Sequence, residues 1–156
     1  MTTKIPVLIC GGGIAGLTAA LVLHREGVRA VLVEKHAGTS PQPKARRIDP
    51  RSTEVFRLLG LADEVDRASA PLAGFDAVLV GPTMAEARAP EPTPARAALT
   101  AGVGRMAELS PAPNVLCPQH VLEPVLRRAA EERGVSLRFA THLVSFTQDA
   151  AGVTAL

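Results

Sequence analysis

The stretch "VLICGGGIAGLTAALVL", residues 7 to 23, constrains the fold more than any other part of the chain. Glycine inside a regular element costs about 0.5–1 kcal/mol relative to alanine. Three in a row between an apolar run and a helical pattern must therefore serve a turn that tolerates no side chains. Residues 5 to 10 read as a short buried strand, because Ile5, Val7, Leu8 and Ile9 leave no polar face. Ile14, Leu17, Ala20 and Leu21 then recur at spacings of three and four, and Gly27 stands where a helix C-terminal glycine belongs. Ala30 to Val33 form a second buried strand, which closes a parallel β-α-β unit of about 30 residues and places the chain in the α/β class.

Gly11, Gly13 and Gly16 satisfy G-x-G-x-x-G, a weak signal alone and a sharper one between a buried strand and a helix. Glu34 follows 18 residues after Gly16 at the end of the next strand, close to the spacing of a ribose-binding acid. In this pattern Gly11 makes the tight turn, Gly13 lets backbone approach a diphosphate, and Gly16 lets helix and strand pack closely. The helix start at Ile14 and Ala15 offers free N–H groups and the positive dipole end to phosphates. A carboxylate at position 34 repels a 2′-phosphate, which argues against NADP in this groove. The fingerprint serves FAD and NAD alike.

Composition excludes other classes. Aromatic content is 3%, with no Trp or Tyr, so stacking platforms for single-stranded nucleic acid are missing. A net charge of +2 is too small to point to a polyphosphate partner. A hydrophobic content of 47% over 156 residues suffices for a packed core. No apolar stretch reaches the roughly 18 residues of a membrane span, and the apolar start, which runs into glycines, is too short for a signal-peptide core, so the expected location is cytoplasmic. Cys10 and Cys117 have no metal or redox spacing and read as small buried hydrophobes. His24, His36, His120 and His142 lack a partnered acid or metal spacing and read as surface or packing residues; no metal site and no catalytic residue is predicted.

Beyond the first unit, Lys35 to Ile48 read as a polar loop with cations at Lys44, Arg46 and Arg47. Asp49 and Pro50 signal a helix start, Val55, Leu58 and Leu59 its apolar face, and Gly60 its end; a short helix through Leu61 to Ala68 follows. "FDAVLV" (75 to 80) reads as a strand. Six of the 13 prolines fall between Pro82 and Pro113, a density that predicts a long irregular excursion. Leu122, Val125, Leu126 and Ala129 form a helical stripe ended by Gly134, with Pro124 either in the first turn or at a kink. "VSLRF" (135 to 139) and "LVSFT" (143 to 147) read as strands, and "QDAAGV" as a turn into a strand that stops at Leu156. The expected organisation is a dinucleotide-binding βαβ unit with following helices at 1–70, a Pro-rich excursion at 71–114 that starts a substrate region, and a returning helix and strands at 115–156.

Three blocks, "VLICGGGIAGLTAALVLHREGVRAVLVEK", "PKARRIDPRSTEVFRLLGL" and "QHVLEPVLRRAAEERGVSLRF", resemble the FAD-dependent aromatic hydroxylases, the class A flavoprotein monooxygenases of p-hydroxybenzoate hydroxylase and polyketide hydroxylase type. The resemblance implies a Rossmann-like, glutathione-reductase-type FAD-binding domain, truncated, with part of a β-rich second region. It implies FAD as cofactor, NAD(P)H as transient electron donor, and O2 with an aromatic or polyketide substrate as partners. By the same resemblance Gly11, Gly13, Ile14, Ala15 and Gly16 cradle the diphosphate, Glu34 holds the ribose with Lys35 beside it, and Leu143 lies near the adenine. The family's Arg-Ala pair falls on Lys44 and Ala45, with Arg46 as a substitute cation, and its flavin-side glutamine falls on Gln119. Lysine at 44 keeps the charge and loses the bidentate fork, and Arg47 stands where a small residue is common. Segments that carry the rest of the flavin site in that family have no counterpart here, so the chain reads as catalytically incomplete. The alternatives are a non-catalytic nucleotide-binding fragment and an NAD-dependent dehydrogenase domain.

Overall fold

A computed structural model of the chain describes residues 3–75, 81–88, 91 and 93–156. The chain divides into two compact units, one formed by residues up to Arg46 together with Pro118–Leu156, the other by Arg47–Cys117.

In the first unit β1 (Val7–Cys10) leads through the glycine turn into α1 (Ile14–Arg25), and Gly27, at φ +72°, turns the chain into β2 (Ala30–Val33). β1 and β2 pair in parallel with Val7 opposite Ala30 and Cys10 opposite Val33. The helix α6 (Gln119–Glu132) delivers β5 (Ser136–Arg138) to the other side of β2, again in parallel, so the sheet order is β1-β2-β5. Leu17, Ala20 and Leu21 of α1, Leu32 of β2, and Leu122, Leu126 and Ala130 of α6 form its buried core. This is the expected βαβ arrangement, with β2 at the centre. β1 is an edge strand among the described residues, so Val7 to Ile9 are half-buried and Cys10 is exposed, against the expectation of full burial. Cys117 is buried, and burial pushes its thiol pKa up.

Pro124 sits in the sixth position of α6, past the first turn where a proline is free of cost, and its ring faces solvent. The strand expected at 143–147 lies further on, as β6 (Phe146–Asp149) paired antiparallel with β7 (Gly152–Ala155). In its turn Asp149 Oδ1 accepts from the N–H groups of Ala151 and Gly152. That turn sets the register, and the register leaves Leu143 ahead of the ladder.

The second unit pairs β3 (Arg47–Ile48) with β4 (Val115–Leu116) and carries α2 (Pro50–Leu58), α3 (Ala62–Ser69), α4 (Met84–Ala87) and α5 (Pro94–Leu109). Asp49 caps α2, its side chain accepting from Ser52 N–H, with Pro50 at the first helical position. The buried face of α2 is Pro50, Thr53 and Phe56, with Leu59 just beyond it; Leu58, expected on that face, is 53% exposed. α5 replaces much of the irregular excursion. Pro94 starts this helix, where a missing N–H is tolerated, Pro111 and Pro113 lie past its end, and no proline falls between. The strand expected at 75–80 lies outside the described residues, apart from Phe75, which is an exposed non-strand residue.

Candidate cofactor site

All the candidate residues belong to the first unit. At the carboxyl end of β1 the N–H of Gly11 donates to the Val33 carbonyl at 2.8 Å, which pins the turn to β2. Gly11 has φ +114°, a region that side chains rarely enter. A Cβ on Gly16 would overlap the Gly11 carbonyl oxygen, so the third glycine is set by helix-to-turn packing. Gly13 caps α1 without any side-chain bond, and no acidic residue occupies the first turn. The first helical N–H groups, those of Ile14, Ala15 and Gly16, have no intrahelical acceptor, as at every helix start. They point their donors and the positive end of the dipole out of the turn, and an anionic diphosphate fits that set.

Glu34, just past β2, reaches back to the turn. Its Oε2 accepts from Gly12 N–H at 2.7 Å, and its Oε1 accepts from His36 N–H at 2.9 Å and contacts His36 Nδ1 at 2.6 Å. The Gly12 N–H, followed by the His36 bonds, holds the carboxyl below the ordinary glutamate value of 4.5. A carboxylate has about four lone-pair sites. Three are engaged, and one on Oε2 remains for a hydroxyl donor. His36 thus has an acidic partner that its spacing in the sequence did not disclose. Gly12 is buried, and a Cβ there would lie 2.9 Å from Glu34 Cβ and 3.2 Å from the Phe139 ring.

The N-terminus of α6 comes to the same place. A Cβ on Gly13 would lie 3.4 Å from Glu123 Oε1, and that oxygen accepts from Gln119 Nε2 at 2.6 Å. Glu123 Oε2 accepts from Ser40 N–H at 2.8 Å. Gln119 N–H donates to the Ala45 carbonyl at 2.7 Å, which sets Lys44 and Arg46, both exposed, beside the start of α6. The structure therefore brings the glycine turn, Glu34, Gln119 and the 44–46 segment together. Lys35 is exposed next to Glu34. Leu143 is half-buried two residues after Thr141, whose N–H donates to the Glu34 carbonyl at 2.8 Å.

Sequence reasoning missed Gly12, His36 and Glu123. Glu123 carried a signal: it lies four residues after Gln119 and inside the apolar stripe of Leu122, Val125 and Leu126, an odd place for a carboxylate. A cavity of about 450 Å³ opens at the other end of the strands, lined by Ile5, Ala20, Val28, Val31 and Val135, and none of the candidate residues reaches it. Among the described residues no cluster of His, Cys, Asp and Glu has the makings of a metal site, and no helix is long and apolar enough to cross a membrane.

Comparison with known proteins identifies similar chains. The chain is 40% identical over 151 residues to aklavinone 12-hydroxylase DnrF of Streptomyces peucetius subsp. caesius, covering 97% of this chain and 31% of that protein. It is 39% identical over 157 residues to 4-methyl-5-nitrocatechol 5-monooxygenase of a Burkholderia species, covering 97% of this chain and 27% of that one. Among solved structures, the flavin-dependent monooxygenase PieE in complex with FAD and substrate superposes with a TM-score of 0.73 at 38% identity, over 98% of this chain and 26% of the other. The chain thus spans about a quarter to a third of the length of the curated relatives it matches. The family described as FAD binding domain matches residues 4–156, and the chain belongs to that family.

Proposed function

We propose that the chain forms the FAD-binding part of a flavin-dependent monooxygenase that hydroxylates an aromatic or polyketide substrate with NAD(P)H and O2. The observation that carries this reading is the pairing of an unsatisfied helix start with an anchored acid: free N–H groups at Ile14, Ala15 and Gly16, and Glu34 tied to Gly12 with one acceptor site to spare. The relatives named above, a hydroxylase and two monooxygenases, support the reaction class. The parallel order β1-β2-β5 supports a Rossmann-like, glutathione-reductase-type domain.

In this reading the turn from Gly11 to Gly16 holds the diphosphate, Glu34 accepts from a ribose hydroxyl, and Lys35 lies beside it. Lys44 and Arg46 neutralise phosphate charge, Gln119 contacts the cofactor beyond the diphosphate, and Leu143 borders the adenine side. Bound FAD supplies the redox and oxygen chemistry. The chain's own residues bind and orient it, and none is assigned a proton-transfer step. The share of the relatives' length that is present favours binding by this chain without turnover on its own.

Titration of the purified chain with FAD, ADP and NAD, followed by calorimetry and flavin fluorescence, tests the reading. FAD and ADP are expected to bind, and NAD more weakly than FAD. Failure of both FAD and ADP to bind overturns it, and tighter binding of NAD replaces it with the dehydrogenase reading.

A further inference from the structure

Glu123 is 1% exposed, the only charged residue buried to that degree among the described residues. A buried carboxylate needs compensation, and no cation pairs with this one among the described residues; both its oxygens are instead met by donors, Gln119 Nε2 on Oε1 and Ser40 N–H on Oε2. Its Oε1 also lies against Gly13, so closely that a Cβ on that glycine would stand 3.4 Å away. One side chain of α6 therefore bonds the loop between Glu34 and Arg46 and the start of α6 itself, and it faces the glycine turn across the space that a side chain on Gly13 would fill.

The hydrogen-bond chemistry restricts Gln119. An amide offers a donor end and an acceptor end. Because Oε1 of Glu123 already sits 2.6 Å from Gln119 Nε2 and accepts from it, the amide nitrogen is committed inward and the carbonyl oxygen is turned away from Glu123. We infer that Glu123 is the positioning residue of the cofactor site: it fixes the Gln119 amide with its carbonyl toward a hydroxyl of the cofactor, and it ties the Ser40 loop to the start of α6. The inference rests on the FAD reading of the site. It goes further in assigning a role to a residue outside the glycine fingerprint, one that acts through Gln119 without touching the cofactor.

Glu123→Gln preserves shape and replaces one acceptor with a donor. The new amide keeps the Ser40 bond through its oxygen and presents N–H to Gln119, which must flip and show its own NH2 outward. The experiment measures Kd for FAD and for ADP with the 156-residue chain, its E123Q, Q119A and E123Q/Q119A variants, and thermal melting of each. ADP shares the diphosphate and adenosine with FAD and lacks the flavin half. The expected result is FAD binding weakened about tenfold in E123Q and in Q119A, ADP binding within twofold of wild type in both, and no further loss in the double variant. Equal loss of FAD and ADP, unchanged FAD binding in E123Q, or losses that multiply in the double variant overturn the inference. Tighter binding of both ligands also overturns it, because Glu123 would then be only a repelling charge near the diphosphate. Should E123Q fail to fold, Glu123→Asp, too short to reach both Ser40 and Gln119, is expected to weaken FAD binding more than ADP binding, and an equal loss of both or unchanged FAD binding overturns the inference. A wild-type chain that binds neither FAD nor ADP overturns the FAD reading itself, and the inference with it.

Discussion

The Gly11 carbonyl oxygen occupies the space where any side chain on Gly16 would begin. A methyl group there must displace main chain at the end of β1, which is pinned to β2 through the Gly11–Val33 bond. Gly16→Ala is therefore expected to cost about 3 kcal/mol of unfolding free energy, read as a lower urea midpoint. Gly11→Ala, strained by φ +114°, is expected to cost roughly 1–3 kcal/mol. Gly38 has open space around it and no positive φ, so Gly38→Ala is expected to stay within about 0.5 kcal/mol.

Glu34 links folding to pH. Its folded pKa is lowered, chiefly by the Gly12 N–H, so its stabilising contribution is fully present above the ordinary value of 4.5 and is lost as pH falls below that value through the folded one. Melting temperature measured from pH 7 to 3 is expected to fall more steeply for the wild-type chain than for Glu34→Gln below about pH 4.5. Parallel curves would mean that the Gly12 and His36 bonds contribute nothing.

Ala140 adopts φ +52°, the one non-glycine residue with positive φ among those described, and its N–H donates to the His36 carbonyl at 2.9 Å. A left-handed alanine costs roughly 1–2 kcal/mol, partly offset by its lower entropy in the unfolded chain. Ala140→Gly is expected to stabilise the chain by about 0.5–1 kcal/mol in urea titration.

Asp49 caps α2 through Ser52 N–H at 2.9 Å, and that bond lowers its pKa. Asp49→Ala is expected to cost about 1 kcal/mol at pH 7. The loss should shrink as pH falls below the ordinary value of 3.8, where the wild-type carboxyl protonates as well.

Lys44 and Arg46 flank the Ala45 carbonyl that accepts from Gln119 N–H. With both replaced by alanine, ADP affinity is expected to fall about tenfold at low salt, and the difference from wild type should narrow as salt is raised. An ADP affinity equal to that of wild type at low salt would remove these cations from the site.

Local rules made much of the chain legible. The alternation of strand, glycine turn and helix from Val7 to Val33, the proline-after-aspartate start of α2, and the glycine at the end of α1 all depend on backbone preferences of neighbouring residues, which a sequence displays directly. The position of Glu34 followed from the length of a βαβ unit. Proline counting across 82–113 misjudged α5, because a proline opposes a helix only from inside it, and Pro94 stands at the first position of that helix.

What the residues of this chain determined by themselves is the glycine turn between two parallel strands and the acid at the end of the second, since both arise from steric and spacing rules that act over a few residues. Tertiary structure alone decided that Glu34 binds Gly12 N–H across 22 residues, that Glu123 bonds Ser40 N–H across 83, and that β5 lies beside β2. Such contacts depend on which segments the packing of α1 against α6 brings within hydrogen-bond reach, and on burial that strips water from a carboxylate until only protein donors remain to satisfy it.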